Sequence, residues 1–282
     1  MTATFATINA GKLACDYALG YTSAEHDRLM RQGALIAPIT ERFFREAGVG
    51  SGQRVLDLGS GVGDVSMVAA KLVGPSGEVV GIDRDAGSIL LAEARVRAAG
   101  FHNIRFMQTD VNAIPDNESF DAAVGRFILM FLPDPLSVLK SVSRLVCPGG
   151  VLAFQEVSWI PMLALGARLP LWSRVLATIH KTLRCSAANP EMGLDLHSIL
   201  LQLGLPAPRM HMDIQLGVDA AYTDVILGVL RSLRPLAERH HLPLDGLGDF
   251  ETLPARIRGE IVSANTVVCF VPLVSAWSRK AK

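Results

Sequence analysis

Apolar positions along the first half of the chain follow two alternating patterns. Short apolar runs bounded by glycine or polar residues are typical of parallel strands, and stretches with helical spacing lie between them. The predicted strands cover residues 54–58, 78–83, 104–108, 120–125 and 151–154. The predicted helices cover residues 65–72 and 86–99, followed by one that begins near residue 135 and ends at residue 146. This alternation predicts an α/β fold with a mostly parallel sheet.

The segment ahead of the first strand, residues 1–51, is predicted to be a helical leader or cap. A capping box at residues 22–25 begins a helix, on which we expect Arg28 to take one of the more exposed positions. Pro38 is expected to break that helix, because proline removes a backbone hydrogen bond and its ring clashes with the preceding turn. Residues 39–47 would then form a second, short helix.

The second half of the chain departs from the regular alternation. Its predicted elements are a helix at 168–184, a helix at 193–203, a strand at 209–216, helices at 222–240 and 250–262, and a last strand at 267–277. The helices with apolar stripes do not extend the sheet pattern. We therefore expect one domain over residues 52–282, with helical insertions at about 158–190 and 219–263.

A glycine-rich stretch, residues 55–66, connects the first strand to the first helix of the sheet. Its spacing is Asp-x-Gly-x-Gly-x-Gly, from Asp57 to Gly63, which is one residue shorter than the G-x-G-x-x-G fingerprint of dinucleotide sites. The shorter run fits a smaller, non-phosphate ligand beside the amides of the helix N-terminus. The Asp57 carboxylate would repel a pyrophosphate, but it could attract an ammonium group directly or through water.

A second acidic position follows twenty residues after Gly63. Asp83 ends the second predicted strand. A carboxylate at this place can accept hydrogen bonds from both hydroxyls of a ribose. The two motifs together predict a nucleoside-containing ligand.

These motifs resemble those of the class I S-adenosylmethionine-dependent methyltransferases, over about residues 52–157. Asp110 and Val111 resemble the third motif of that family, where an acid meets the adenine amine and an apolar side chain packs on the ring. The resemblance implies a doubly wound, Rossmann-like sheet of seven mostly parallel strands with the last one antiparallel, and S-adenosylmethionine as cofactor. The cofactor-binding residues expected on this basis are Gln32, Asp57, Gly59, Ser60, Gly61, Gly63, Asp83, Arg84, Asp110, Val111 and Arg126. The helical insertions carry apolar stripes but no sheet pattern, so we expect them to pack together as a lid above the fourth and fifth strands and to enclose the acceptor.

Residues around the fourth strand resemble the branch that includes the quinone-biosynthesis methyltransferases. The similar features are Phe120-Asp121 at the start of the strand and Pro-Asp-Pro at residues 133–135. Many members of that branch have a histidine in the segment after the strand, where this chain has Met130. Arg126, at the end of the strand, would meet the methionine carboxylate or an anionic acceptor, with a surface ion pair as the alternative.

Composition narrows the substrate class. Lysine plus arginine and aspartate plus glutamate number 27 each, so the formal charge is +0, which disfavours nucleic acid as a partner. The apolar fraction of 50% and mean hydropathy of +0.32 indicate an apolar pocket, an apolar homodimer interface, or both.

No apolar run reaches the length of a membrane span and no secretory signal is visible, so we expect a cytoplasmic protein without membrane insertion. Four scattered cysteines, among them Cys15, are expected to be reduced and to bind no metal.

The chemistry implied by the resemblance needs no catalytic triad and no metal. Methyl transfer from a sulfonium is an in-line displacement, for which positioning alone can supply roughly 7 to 11 kcal/mol. If the acceptor is a hydroxyl, a base would assist, and the candidates are Glu156 at the end of the fifth strand and His180 in the first insertion. For each of the two, a structural role is the alternative. The candidate substrate-binding residues are Tyr17, Tyr21, Met130, Trp159 and Trp172.

Two other functions remain open from the sequence. A nicotinamide-dependent oxidoreductase is disfavoured by the shortened glycine run. A methyltransferase-like protein that uses its cofactor structurally, or for a reaction other than methylation, is the second alternative. The lead hypothesis is a methyltransferase whose small acceptor is largely apolar, with a hydroxyl oxygen favoured over nitrogen or carbon.

Overall fold

The computed structural model describes residues 17–282, and seven strands of this part of the chain form one sheet. Their bounds are β1 Arg54–Leu58, β2 Glu78–Asp83, β3 Ile104–Gln108, β4 Phe120–Arg126, β5 Val146–Val157, β6 Arg209–Asp213 and, as the last strand of the chain, β9 Leu273–Arg279. The spatial order is β3-β2-β1-β4-β5-β9-β6. Strands β1 to β5 pair in parallel, and β9 runs antiparallel between β5 and β6. The predicted doubly wound seven-stranded sheet is confirmed.

Helices cover both faces of this sheet. Their bounds are α1 Ser23–Ala47, α2 Asp64–Val73, α3 Ala86–Ala98, α4 Pro135–Leu145, α5 Ile160–Gly166, α6 Pro170–Cys185, α7 Met192–Gln202, α8 Ala220–Arg239 and α9 Leu253–Ser263. The insertion helices α6, α8 and α9 pack on one another, and α8 also packs against α1. None of the helices in residues 17–282 combines the length and the apolar character needed to cross a bilayer.

The prediction that Pro38 breaks the first helix is wrong. A single helix, α1, runs from Ser23 to Ala47 with Pro38 inside it. Pro38 lies on the exposed side, while Ile36, Phe43 and Phe44 are fully buried on the other. Burial of this apolar face outweighs the cost of one proline, which is about 3 kcal/mol in a helix interior.

The ends of the later strands also differ from the prediction. The last strand enters the large sheet only at Leu273, because residues 268–269 (β8, Val268–Cys269) pair instead with β7, Leu216–Gly217, in a small two-stranded sheet. Strand β6 correspondingly ends at Asp213. Strand β5 runs from Val146 to Val157, beyond both ends of the predicted strand at 151–154, with a shift in its register against β4.

The sheet topology places a crevice beside β1. The chain leaves β1 toward β2 on one side, and β4 lies on the other side. Open α/β sheets bind ligands at the carboxyl ends of the strands where the strand order reverses. Leu58, at the carboxyl end of β1, pairs with Ile82 on one neighbour and with Gly125 on the other, so the ends of three strands meet at this crevice.

Candidate functional site

A cavity of about 600 Å³ opens at the carboxyl ends of β1, β2 and β4. Its walls come from the glycine-rich loop, from the segments after β2, β3 and β4, and from α1, α6 and α8. The predicted site residues that line it are Tyr17, Tyr21, Gln32, Gly59, Ser60, Gly61, Asp83, Arg84, Asp110, Val111, Arg126, Met130 and Trp159. A volume of this size is typical of sites for small molecules and cofactors.

The glycine-rich loop between β1 and α2 needs its glycines for backbone conformation and for space. Gly59, Gly61 and Gly63 have φ values of 64°, 50° and 87°, in the left-handed region that other residues rarely adopt. A Cβ at Gly59 would lie 2.6 Å from Ile128 Cδ1, whereas a Cβ at Gly61 would meet no atom of the described residues within 4 Å. The loop therefore packs against the segment after β4 at Gly59 and presents open backbone to the cavity at Gly61.

Asp83 ties this loop to the end of β2. Its Oδ2 accepts a hydrogen bond from the Gly61 amide at 2.8 Å, and its Oδ1 accepts one from the Asp85 amide at 2.9 Å. Burial raises the pKa of this carboxyl, and the two amide bonds oppose that shift. A carboxylate oxygen can accept more than one hydrogen bond, so Asp83 keeps acceptor capacity at the cavity wall.

Asp57 lies behind the loop and does not line the cavity. It is fully buried, and its Oδ2 accepts a bond from the Ser66 hydroxyl at 2.5 Å. Its Oδ1 has no hydrogen-bond partner within residues 17–282. Burial raises the pKa of Asp57 to about 7, against the lowering effects of Ser66 and Arg126. Asp57 and Gly63 thus support the loop from behind rather than facing the cavity.

Arg126 lines the cavity at the end of β4 and is held by a buried chain of hydrogen bonds. Its Nη1 donates to Thr40 Oγ1 at 2.9 Å, Thr40 donates to Gln155 Oε1 at 2.7 Å, and Gln155 Nε2 donates to Ser275 Oγ at 2.9 Å. Burial lowers the pKa of Arg126, and the carboxylates of Asp64 and Asp57 oppose this. No carboxylate of the described chain forms an ion pair with Arg126, so the alternative of a surface ion pair is not seen there and its guanidinium can meet an anionic group.

The far end of the cavity is formed after β2 and β3. Asp110 and Val111 follow β3, and the Asp110 carboxylate accepts a bond from the Asn112 amide at 2.8 Å. Arg84 Nε donates to the Tyr21 hydroxyl at 2.9 Å. The segment ahead of α1 is thereby linked to the end of β2, over the opening of the cavity.

Besides Asp57 and Gly63, three further predicted residues lie outside the cavity, which corrects their expected placement. Glu156 is fully buried, and its Oε1 accepts the amides of Ile128 and Leu129 at 3.0 and 2.8 Å. His180 lies with its Nε2 3.4 Å from Glu191 Oε1, and Trp172 is only 1% exposed in the core. A side chain that does not reach the cavity wall has no contact with a substrate there, so we do not carry Glu156 or His180 forward as a base.

The structure also places residues at the cavity that the sequence analysis did not assign. Arg28, expected to be exposed, is 2% exposed and lines the cavity. Leu183 from α6, and Ile226 and Val229 from α8, line it as well. Glu25, Arg28 and Gln32 are three and four residues apart, so they share one face of the helix. This spacing was the signal in the sequence that Arg28 faces a neighbouring element. Nothing comparable in the sequence relates α8 to the cavity.

A protein-family model described as a methyltransferase domain matches residues 50–199, which is more than half of the chain. A curated relative, demethylmenaquinone methyltransferase from Geobacillus stearothermophilus, is 33% identical over 116 residues, covering 41% of this chain and 50% of the relative. Another with the same name, from Staphylococcus aureus strain Newman, is 34% identical over 119 residues, or 42% of this chain and 48% of the relative. The chain thus spans about half the length of these curated relatives.

Solved structures show the same fold. A SAM dependent methyltransferase from Aquifex aeolicus superposes with a TM-score of 0.52 at 21% identity, covering 67% of this chain and 92% of that one. The YcgJ protein from Bacillus subtilis superposes with a TM-score of 0.55 at 15% identity, covering 86% of this chain and 98% of that one. At these identities the likeness is one of fold.

Proposed function

Because this chain belongs to the family of methyltransferase domains, we propose that it transfers a methyl group from S-adenosylmethionine to a small, largely apolar acceptor, with a hydroxyl oxygen favoured. The single observation that carries the proposal is the contact between Asp83 and the Gly61 amide at the wall of the cavity. It joins the acid at the end of β2 to an open glycine loop, in an arrangement that fits a ribose and leaves little room for a pyrophosphate.

The residues around this contact fit the parts of S-adenosylmethionine. Asp83 would hold the ribose hydroxyls, Asp110 and Val111 the adenine, and Arg126 the methionine carboxylate. Asp57 lies behind the loop with Oδ1 unpartnered in residues 17–282, and its ionised form would give the loop a negative potential that suits the ammonium group and the sulfonium. When bound, S-adenosylmethionine supplies a methyl group on a positively charged sulfur.

The remaining part of the cavity is the proposed acceptor site. Its apolar walls come from the segment after β4, the end of β5 and the insertion helices, and they include Met130, Val157, Trp159, Leu183, Ile226 and Val229. The carboxylates among the cavity-lining residues belong to Asp64, Asp83 and Asp110, at the loop and strand ends of the cofactor side. The chain would therefore promote the reaction by orienting the acceptor and excluding water, which is enough to supply several kcal/mol.

The acceptor in the names of the curated relatives is not assigned to this chain. The curated relatives are named for demethylmenaquinone, but they match only 41% and 42% of the chain. Of the insertion helices that contribute walls to the proposed acceptor site, α6 lies within the family match, whereas α8 lies wholly beyond it, because the match ends at residue 199. The choice of acceptor is thus assigned in part to α8, which the family match does not cover.

Replacing Asp83 tests the cofactor assignment. The Asp83→Ala variant loses a charged hydrogen-bond acceptor at the cavity, so we expect S-adenosylmethionine binding to weaken by about 1.5 to 3 kcal/mol. Isothermal titration calorimetry measures this, with Asp116→Ala, an exposed acid on a nearby loop, as the matched control. Unchanged affinity in a folded Asp83→Ala variant would remove the ribose assignment.

A second experiment tests the transfer itself. The protein is incubated with S-adenosylmethionine labelled on its methyl group and with fractionated extract of its source organism, and labelled products are sought. Transfer to a small apolar compound is expected. Binding of S-adenosylmethionine without transfer to any fraction would favour a structural use of the cofactor, and preferential binding of NADH would favour an oxidoreductase.

A further inference from the structure

A buried polar cluster on α1 lies at the wall of the otherwise apolar acceptor site. Arg28 Nε and Nη2 donate to the two carboxylate oxygens of Glu25 at 2.8 and 2.6 Å, and Arg28 Nη1 donates to Gln32 Oε1 at 2.6 Å. The three side chains have relative exposures of 2%, 0% and 7%, in the order Arg28, Glu25, Gln32. A bidentate ion pair buried to this degree is costly unless its remaining hydrogen-bond capacity is also used.

Helix α8 contributes the other side of this cluster. Ser232 donates to Glu25 Oε2 at 2.8 Å, and a Cβ at Gly228 would lie 2.9 Å from Arg28 Cγ. Tyr17 donates to Glu25 Oε1 at 3.4 Å. Glu25 is therefore surrounded by donors from three segments, and Arg28 is fixed between α8 and the cavity.

The guanidinium has more donors than this cluster uses. Arginine carries five N–H groups, and the bonds to Glu25 and Gln32 use three of them. Arg28 lines the cavity beside Ile226 and Val229, which are apolar. Of the two N–H groups that remain, one can meet the Tyr17 hydroxyl. At least one is thus left at the boundary between the cluster and the acceptor site, where an unmade hydrogen bond is costly.

Charge decides which kind of group would fit there. Glu25 neutralises Arg28 through two short bonds, so the pair as a whole carries no net charge. An anionic group beside it would leave one net negative charge in an apolar site, and desolvating that charge is expensive. A neutral oxygen would accept from the free N–H groups without that penalty.

We propose that Arg28, held neutral by Glu25, is a specificity-determining residue that binds a neutral carbonyl-type oxygen on the methyl acceptor. This rests on the proposed function, since it assigns the substrate class of the same site. The acceptor is then a largely apolar molecule with a polar oxygen at the end that faces α1. That oxygen sets the orientation of the molecule in the cavity relative to the donor.

Three probes of matched size test the proposal by direct binding. They are 2-acetonaphthone, which has a ketone oxygen; 2-ethylnaphthalene, which has none; and 2-naphthoate, which is anionic. Isothermal titration calorimetry is run on the full chain saturated with S-adenosylhomocysteine, so that no turnover is needed. We expect the ketone to bind about tenfold more tightly than the hydrocarbon and than the carboxylate, the scale of one hydrogen bond from a charged donor.

Two variants separate recognition from a structural role of the cluster. In Arg28→Met the ketone should lose its advantage over the hydrocarbon, while hydrocarbon affinity stays within about twofold. In Glu25→Gln the charge of Arg28 is no longer neutralised, so 2-naphthoate should gain about tenfold and overtake the ketone. Arg31→Met, on the exposed side of the same helix, is the matched control and should change none of the three affinities.

The outcomes distinguish this proposal from the function on which it rests. Equal binding of ketone and hydrocarbon to the unmodified protein, or no binding of the ketone, overturns oxygen recognition. Tighter binding of the carboxylate than of the ketone overturns the neutral assignment. If S-adenosylhomocysteine itself fails to bind, the proposed function is what fails, whereas loss of probe selectivity with intact cofactor binding and methyl transfer removes only the role of Arg28.

Discussion

The Glu156 carboxylate fixes the backbone of the segment that leaves β4. Phe127, in that segment, has φ of 57°, which is unusual for a residue with a side chain. The next two amides, of Ile128 and Leu129, both donate to Glu156 Oε1. Ile128 in turn packs against Gly59 of the glycine loop. Glu156 therefore acts on the site through the backbone, as a positioning residue between the loop and the acceptor walls.

This arrangement predicts a pH dependence of stability. Burial raises the pKa of Glu156 to about 8, although the amides of Leu129 and Ile128 oppose the shift. In the unfolded chain a glutamate titrates near pH 4.3, roughly. The folded state holds the proton more tightly, so the contribution of this group is complete below the unfolded pKa and is lost as the pH rises toward 8. We expect the free energy of unfolding to fall over that range by at least about 1 kcal/mol more in the unmodified protein than in Glu156→Gln.

Urea denaturation at a series of pH values measures this difference. Glu251→Gln, at an exposed position, is the control and should leave the pH profile unchanged. Parallel profiles for the unmodified protein and for Glu156→Gln would mean that Glu156 is ionised across the range, held by its amide bonds alone.

Sequence reasoning placed the proposed cofactor-binding residues at the cavity because they are local to strand ends. Gly59, Asp83 and Arg126 each follow an apolar run, and parallel strands bring their carboxyl ends to one edge. Arg28 could not be placed in the same way. Its burial depends on Ser232 and Gly228 of α8, and the bond from Ser232 to Glu25 spans 207 positions of sequence. Periodicity on α1 alone cannot show which face a distant helix will cover.

At the scale of elements, helix α1 is a case in which tertiary packing overrides the helix-breaking tendency of Pro38. Gly33 allows α1 to approach α2 closely, since a Cβ there would lie 2.5 Å from Asp64 Cγ. Thr40, two residues after Pro38, takes part in the hydrogen bonds that hold Arg126. A break at Pro38 would separate these two contacts. The continuous helix keeps the glycine loop and Arg126 in register with one rigid element.

The cost of this proline predicts a stabilising substitution. Pro38 is exposed inside α1, so Pro38→Ala restores a backbone donor and removes the ring without disturbing the buried face. A helix-interior proline costs about 3 kcal/mol, and the freer unfolded chain offsets up to about 1 kcal/mol of the gain. We expect the free energy of unfolding to rise by about 2 to 3 kcal/mol, measured by urea denaturation.

Pro243→Ala is the matched control, because Pro243 is exposed in a loop outside the helices. There only the unfolded-state effect applies, and stability should fall by a few tenths of a kcal/mol, roughly. If Pro38→Ala also lowers stability, the packing of α1 requires proline at this position, and the argument that Pro38 only costs stability is incorrect.

At the scale of the whole molecule, the order of elements was predictable and the closure of the cavity was predictable only in part. Strands that alternate with helices along the chain form a parallel sheet. Because the crossover connections between parallel strands are right-handed, few strand orders are possible. The apolar stripes on α6 and α8 indicated that these helices pack together, and they do. The contact of α8 with α1 and the small β7–β8 sheet both depend on residues far apart in sequence. The proposed acceptor site is thus assembled from α1, α6 and α8, which lie before and after the strands that carry the proposed cofactor side.

This assembly predicts where ligands should slow hydrogen exchange. S-adenosylhomocysteine alone should protect the glycine loop and residues 109–112, because its contacts are proposed on that side. Adding 2-acetonaphthone should then protect α6, α8 and the Glu25 to Gln32 part of α1, which surround the acceptor site. A ligand at 100 times its Kd stabilises the bound form by about 2.7 kcal/mol, so exchange through openings that release it should slow by up to about 100-fold.

Helix α7, packed on β5 and β9, serves as the internal control and should exchange equally in all states. Equal exchange of α6 and α8 with and without both ligands would show that these helices form a fixed wall, and that acceptor enters without their opening.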